Sequence, residues 1–391
     1  MRLEGFPITV LGGGVAGLAV ARALALRGAE VTLLEQAEGL TEVGAGLQIS
    51  PNGARVIEAL GLAPGLEAAG LRAEAVELCD AAGRRVARLP LRDAGPAYRF
   101  LHRADLIGLL AEGARAAGVK VRLLQRVASV DLSDTGATLV TRQGATHTAG
   151  LLIGADGLHS LVRQALNGRA VPFFTRQTAW RAVVPEPPGA AAVARVYMGP
   201  GRHLVTYPLR GGRLRNVVAV EERGEWVEEG WHHEDDPALL RRAFAGFGPE
   251  VRALLDRVER VHLWGLFRHP VAPRWHQGGV AAILGDAAHP TLPFLAQGAN
   301  LALEDAWVLA ACLAAEPGPE AALMAYQTAR RDRAIRVIDA ASANARNYHM
   351  PPGPRRAAAH LALRLASALA PGVLTGQLDW LYGYDATAVR P

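Results

Sequence analysis

The stretch ITVLGGGVAGLAVARALALRGAEVTLLEQ, residues 8–36, constrains the fold more than any other. An apolar strand runs into a glycine turn, then a helix with apolar residues at helical spacing, then a second continuous apolar strand. That order is a parallel βαβ unit. Gly12, Gly14 and Gly17 form G-x-G-x-x-G. The first glycine permits the tight turn, the second lets backbone approach a pyrophosphate, and the third lets helix and strand pack closely. The helix N-terminus adds N–H groups without acceptors and the positive end of a dipole. Eighteen positions beyond Gly17, Glu35 ends the second strand, where a carboxylate can accept hydrogen bonds from an adenosine ribose. A tight turn without a ligand would leave Glu35 unexplained. The fingerprint alone does not choose between NAD and FAD.

Beyond it the chain changes character. AVELCD and RRVARLPL flank Ala81-Ala82-Gly83 and read as a hairpin placed away from the first sheet. RADLIGLLAEGARAAG is helical, and the four short segments from Lys120 to Gly157 read as a meander that returns to the parallel sheet. RVYMGP, RHLVTYPLR and RNVVAVEE predict antiparallel strands with glycine turns between them. VAAILGD then leads to a helix beginning near Gly298 and to a long, charge-bearing helix. After Pro351 come a proline-rich break, an amphipathic helix and LDWLYGYD. The expected division is a discontinuous dinucleotide domain (1–70, 100–170 and 275–345), a sheet domain (71–99 and 171–274) and a helical C-terminal region (346–391).

Composition narrows the class. A chain of 391 residues exceeds one hydrophobic core and calls for two or three domains. The longest apolar runs, such as AWVLAACLAA from Ala306, stop after about half of the ~20 residues a bilayer crossing needs. The N-terminus runs straight into a strand without a signal-peptide pattern, so a cytoplasmic protein with no integral membrane segment is expected. Cys79 and Cys312 are isolated in apolar runs, which predicts buried free thiols and no metal site. The net charge of +5 comes almost wholly from arginine, Lys120 being the single lysine. Those arginines are scattered among acids, so no nucleic-acid partner is expected.

Two later motifs bring in a family resemblance. GADGLHSLVR (Gly154 to Arg163) and ILGDAAHPTLPFLAQGANLALEDA (Ile283 to Ala306), following the glycine fingerprint in that order, resemble the class A flavoprotein aromatic hydroxylases over nearly the whole chain. The resemblance implies an α/β fold: a Rossmann-like FAD-binding domain of the p-hydroxybenzoate hydroxylase type, an inserted, mainly antiparallel β-sheet substrate domain, and a helical C-terminal region. It implies non-covalent FAD, with NADH or NADPH as co-substrate and no separate nicotinamide domain. Asp156 would lie where FAD and the passing nicotinamide meet, and Asp286 on the ribityl chain. Gly298, Ala299 and Asn300 would open a helix whose amides and dipole face the electron-rich edge of the flavin. Arg103, in LHRADL, matches the family arginine that reaches FAD, and Gln48, in GAGLQISPN, lies where the backbone passes the flavin.

Substrate contacts rest on GRHLVTYP. His203 and Tyr207 are at i and i+4, on one face of a strand and roughly 13 Å apart at ~3.3 Å per residue. The pattern is similar to that of 3-hydroxybenzoate 6-hydroxylases and 6-hydroxynicotinate monooxygenases, as is LAQG with Gln297. It departs from the histidine- and glycine-rich sequence of many salicylate hydroxylases, and Asn300 stands where close relatives often carry cysteine. The implied reaction hydroxylates a small phenolic aromatic with dioxygen through a flavin hydroperoxide. His203 would take the phenol proton, and Tyr207 and Gln297 would orient the ring. A ubiquinone-pathway hydroxylase and a non-hydroxylating flavin oxidoreductase are the alternatives, and a homodimer is compatible with the amphipathic stretch HLALRLASALAPGV.

Overall fold

The computed structural model describes residues 2–40, 45–91, 96–225 and 233–390. At its centre Pro7–Leu11 pairs in parallel with Glu30–Leu34 on one side and Leu152–Gly154 on the other. Lys120–Arg122 and Ala281–Ile283 extend the parallel sheet at either end, and His276–Gln277 adds an antiparallel edge. Val10, Leu33, Ile153 and Ala282 are inaccessible to solvent, as expected of parallel strands covered on both faces. Helix Val15–Ala25 makes the first crossover and packs on helix Gly298–Ala315.

The segment between the second and third central strands forms other sheets before it returns. Val127–Leu132, Ala137–Thr141 and Thr146–Ala149 make a three-stranded antiparallel meander that leads into Leu152–Gly154. The hairpin Ala75–Asp80 and Arg85–Pro90 forms one end of an eight-stranded sheet, whose other strands come mostly from the stretch after Phe173. Among the described residues, only the Ala75–Asp80 and Val193–Gly199 pair is parallel there. Strict alternation along Arg202–Leu209 gives this sheet two different faces. Leu204 faces a cluster with Trp180, Val217 and Phe244, beside helices Pro237–Ala243 and Pro249–Asp256. His203, Val205 and Tyr207 face the other way.

Helix Gly298–Ala315 is long and apolar enough to cross a bilayer, with a mean hydropathy of 1.3, but 67% of that window is buried inside the protein. Its apolar character runs further than the ten-residue stretch conspicuous in the sequence because Glu304 and Asp305 are its only charges. Both carboxylates are buried and paired: Arg330 Nη2 lies 2.7 Å from Glu304 Oε2 and Arg330 Nε 2.8 Å from Asp305 Oδ1. Arg333 adds a second contact to Glu304 and His289 one to Asp305. These partners come from the 30-residue helix Pro319–Tyr348 and from the turn after Asp286. Helix Pro354–Leu369 then lies against strand Arg85–Pro90 and leaves Leu361, Leu365 and Leu369 exposed.

Candidate active site

Four sequence motifs meet just beyond the carboxyl ends of neighbouring parallel strands. The glycine turn follows Pro7–Leu11, Glu35 follows Glu30–Leu34, Asp156 follows Leu152–Gly154 and Asp286 follows Ala281–Ile283. That edge is where open α/β sheets bind ligands. Gly12 has a φ of +106°, and a Cβ there would stand 2.3 Å from the Ala155 carbonyl oxygen. At Gly17 a Cβ would stand 1.9 Å from the Gly12 carbonyl oxygen, so any side chain would push helix and turn apart. Gly14 differs. It caps the helix with extended backbone and no side-chain bond, and nothing lies within 4 Å of a Cβ built on it. Open space over a helix start fits a pyrophosphate, which the first-turn N–H groups can bind.

Glu35 is fixed against that turn: its carboxylate accepts from Gly13 N at 2.6 Å and from Ala37 N at 2.8 Å. An ionised carboxylate has about four acceptor sites, so capacity remains for sugar hydroxyls. Asp286 reaches solvent in a recess that is deep among protein atoms. Burial raises its pKa, with the neighbouring His289, Arg103 and His269 opposing. Arg103 opens helix Arg103–Ala116, its own amide donating to Ala45 O and the preceding His102 capping the helix. An accessible carboxylate facing an arginine, beside an open helix start and a ribose-class acid, is a donor and acceptor set that can hold FAD.

Asp156, at the same strand-end edge, is held by its own turn. Its carboxylate accepts from Ser160 Oγ and from the amides of Leu161 and Val162, so it ties the Asp-Gly turn to the start of helix Leu161–Asn167. Burial raises its pKa while those donors lower it. Gln297 and Asn300 also turn inward. The Gln297 amide donates to Ser50 Oγ and accepts from Asn52 Nδ2. Asn300 donates to Gln48 O and accepts from Ser50 N. Neither side chain lines the cavity described next, and the polar atoms of Gln297 lock the helix start. The half-buried groups there are those of Gly298 and Ala299. Before them Ala296 is left-handed at φ +53°, a strained setting for a residue with a Cβ.

Beside this helix start lies a cavity of about 430 Å³, within the usual range for small-molecule sites. Gln48 and Pro293 to Ala296 form one wall, and Val76, Leu78, Val196 and Val205 of the eight-stranded sheet another. Tyr348 and residues of helix Pro354–Leu369 complete it. Gln48 accepts from Tyr98 Oη at 2.6 Å. Tyr207 packs on Phe100 with centroids 5.1 Å apart, and burial pushes its hydroxyl pKa up. His203 is 1% exposed and sits between Phe294 and Tyr348, two cavity residues, with centroids 5.5 and 5.2 Å away. Gln48 thus lines the cavity itself, whereas His203 and Tyr207, on the sheet face of the lining residue Val205, are buried behind its wall.

His349 and Glu222 were not foreseen from sequence. His349 lies 2.6 Å from His203 across the end of the long helix, and Glu222 lies 2.8 Å from His349. Nothing in their spacing signals this, since 146 and 127 residues separate the pairs. Glu304 and Asp305 had a local signal, two adjacent acids inside an apolar helix, but their partners on the next helix did not.

The sequence matches the FAD binding domain family over residues 6–341. It is 38% identical to a 3-amino-4-hydroxybenzoate 2-monooxygenase of Streptomyces cremeus, over 97% of this chain and 95% of that protein. Identity is 33% to a 3-hydroxybenzoate 6-hydroxylase of Polaromonas naphthalenivorans, over 97% and 96%. A salicylate hydroxylase substrate complex superposes with a TM-score of 0.81 at 26% identity, covering 99% of each chain. Glycine cradle, Gly-Asp recess and adjoining apolar cavity agree with those matches, and the chain belongs to the FAD-dependent aromatic hydroxylases of the FAD binding domain family.

Proposed function

We propose that this chain hydroxylates a small phenolic ring of the hydroxybenzoate or hydroxypyridine type, using NADH or NADPH and dioxygen. FAD would be held by Gly12, Gly14, Gly17 and Glu35 at its adenosine half and by Arg103, Asp286 and the helix start at Gly298 beyond. When bound, it supplies the redox chemistry that activates oxygen. The chain supplies the rest. First-turn amides at Gly298, Ala299 and Asn300 present positive potential to an electron-rich cofactor edge. Gln297 and the Asn300 side chain act as positioning residues by holding that helix start. His203 takes the proton from the phenol, Tyr207 positions the ring, and the apolar walls keep water from the reacting atoms.

The observation that carries this assignment is one cavity bounded both by the Pro293–Ala296 turn and by Val205, which lies between His203 and Tyr207 on the same sheet face. Relatives named for 3-amino-4-hydroxybenzoate and 3-hydroxybenzoate put those two compounds first in a substrate panel, with hydroxypyridines beside them. The purified protein is expected to be yellow and to release unmodified FAD on denaturation. A panel member should stimulate NADH or NADPH oxidation and yield a hydroxylated product by mass spectrometry. Bound NAD with no flavin, or oxidation with no hydroxylated product from any phenol, would overturn the assignment.

Asp286→Ala is expected to weaken FAD binding about tenfold to a hundredfold, because a hydrogen bond to a charged group contributes ~1.5–3 kcal/mol. Flavin titration of the apoprotein measures it. A folded variant with the wild-type dissociation constant removes Asp286 from the FAD site.

A further inference from the structure

Beyond the proposed proton acceptor, we infer that His203, His349 and Glu222 form a proton relay that carries the substrate's phenolic proton from the buried cavity to the surface. This rests on the phenol hydroxylase assignment above. His203 Nδ1 and His349 Nε2 are 2.6 Å apart, and His349 Nδ1 lies 2.8 Å from Glu222 Oε1. The chain of contacts begins at a residue 1% exposed and ends at a carboxylate whose side chain is 53% exposed.

The network also sets the tautomers. Glu222 accepts, so His349 carries its proton on Nδ1 and offers Nε2 as an acceptor. His203 must then donate from Nδ1, which leaves Nε2 with a free lone pair. That nitrogen makes no hydrogen bond among the described residues, and the two rings flanking it line the cavity. The frame is held by backbone: Gly201 N donates to His349 O, and Glu222 N donates to Gly201 O. One tautomeric arrangement therefore leaves an acceptor on the innermost ring, packed against two cavity residues, and a donor at each step outward.

The transfer balances. The phenol O–H bond breaks as a bond to His203 Nε2 forms. The Nδ1 proton passes to His349 Nε2, the His349 Nδ1 proton passes to Glu222, and water removes it there. Phenolate remains in the cavity and one proton reaches solvent. The charged and titratable neighbours favour passage over storage. Burial, with His349 alongside, lowers the His203 pKa well below the usual range. At His349 burial and Arg202 lower it while Glu222 raises it. Tyr348, also packed on His203, has its hydroxyl pushed up by burial and stays neutral. A lone buried imidazole would hold the proton poorly, whereas a relay need not hold it.

The test compares the wild-type holoenzyme with Glu222→Gln, Glu222→Asp and His349→Gln, using 3-hydroxybenzoate or 3-amino-4-hydroxybenzoate, whichever the wild type hydroxylates. Both glutamine variants are expected to keep the wild-type FAD content. They should lose about tenfold or more in product per NAD(P)H at neutral pH, with recovery as pH nears the phenol's own pKa of ~10. Ultraviolet difference spectra should show less bound phenolate at neutral pH, and Glu222→Asp should restore part of it. Glutamine variants with full FAD content, wild-type coupling and an unchanged pH profile overturn the relay. Failure of the wild type to hydroxylate any panel phenol overturns instead the assignment beneath it.

Discussion

Replacing His203 with alanine is expected to leave FAD bound while cutting hydroxylated product per NAD(P)H consumed by about 10²–10⁴-fold, the usual effect of losing a general base. Hydrogen peroxide should account for the missing product. The origin of so large an effect is the mismatch between substrate and solvent: a phenol of pKa ~10 near pH 7 resists ionisation by ~3 units, or about 4 kcal/mol at ~1.36 kcal/mol per unit. A buried site cannot recruit bulk hydroxide to make up the difference. His203 shares a sheet face with the cavity residue Val205 and contacts Phe294 and Tyr348 directly, so the acceptor sits immediately behind two of the apolar cavity walls. The deficit should shrink as pH rises towards ~10, because the substrate then arrives as phenolate. Tyr207→Phe should act mainly on substrate affinity, since its ring packs on Phe100 and its hydroxyl is unionised. A His203→Ala enzyme coupled as tightly as wild type from pH 6 to ~10 makes His203 a packing residue of the sheet.

What could be read from sequence and what could not divide along a physical line. The glycine turn, Glu35, Asp286 and the helix start at Gly298 are local patterns, each set by backbone conformation or strand end within a few residues. Gly12 and Gly17 are required by contacts of 2.3 and 1.9 Å that any Cβ would make. The sheet face bearing His203 and Tyr207 was likewise legible, because period-two alternation needs no knowledge of the partner strand. Side-chain direction at Asp156, Gln297 and Asn300 was not. Each lies in a motif at the cofactor edge, yet each spends its polar atoms on neighbours: the helix start at Leu161, Ser50 and Asn52, and Gln48. Which of two available partners a polar side chain takes depends on chain segments up to 252 residues away, and spacing carries no record of that. His349 and Glu222 were invisible for the same reason.

The buried acids Glu304 and Asp305 connect stability with the site. Asn52 Nδ2 donates to Glu304 Oε1 at 2.6 Å and to Gln297 Oε1 at 3.1 Å, and Gly285 N donates to Asp305 Oδ2 at 3.0 Å. One carboxylate thus steadies the helix start at Gly298, and the other the turn that carries Asp286. Arg330, fully buried, pairs with both.

Arg330→Met is therefore expected to destabilise the fold by about 3–5 kcal/mol, because it removes one partner and leaves buried carboxylates incompletely compensated. Against a total stability of ~5–15 kcal/mol the urea midpoint should fall visibly, and FAD affinity with it. The pH dependence gives a second signature. Burial alone would raise the Asp305 carboxyl, but His289 and Arg330 outweigh it and hold the pKa down to about 2. A folded pKa below the unfolded value of ~3.9 stabilises the protein fully above that value and is lost as pH falls through the folded one. Without Arg330 the Asp305 pKa should rise, so the variant should begin to lose stability at a higher pH than wild type. Tryptophan fluorescence, to which Trp275 packed 5.1 Å from His289 contributes, follows the acid transition. Wild-type urea and acid midpoints in Arg330→Met would mean that Arg333 and His289 alone compensate both carboxylates and that Arg330 contributes no net stability.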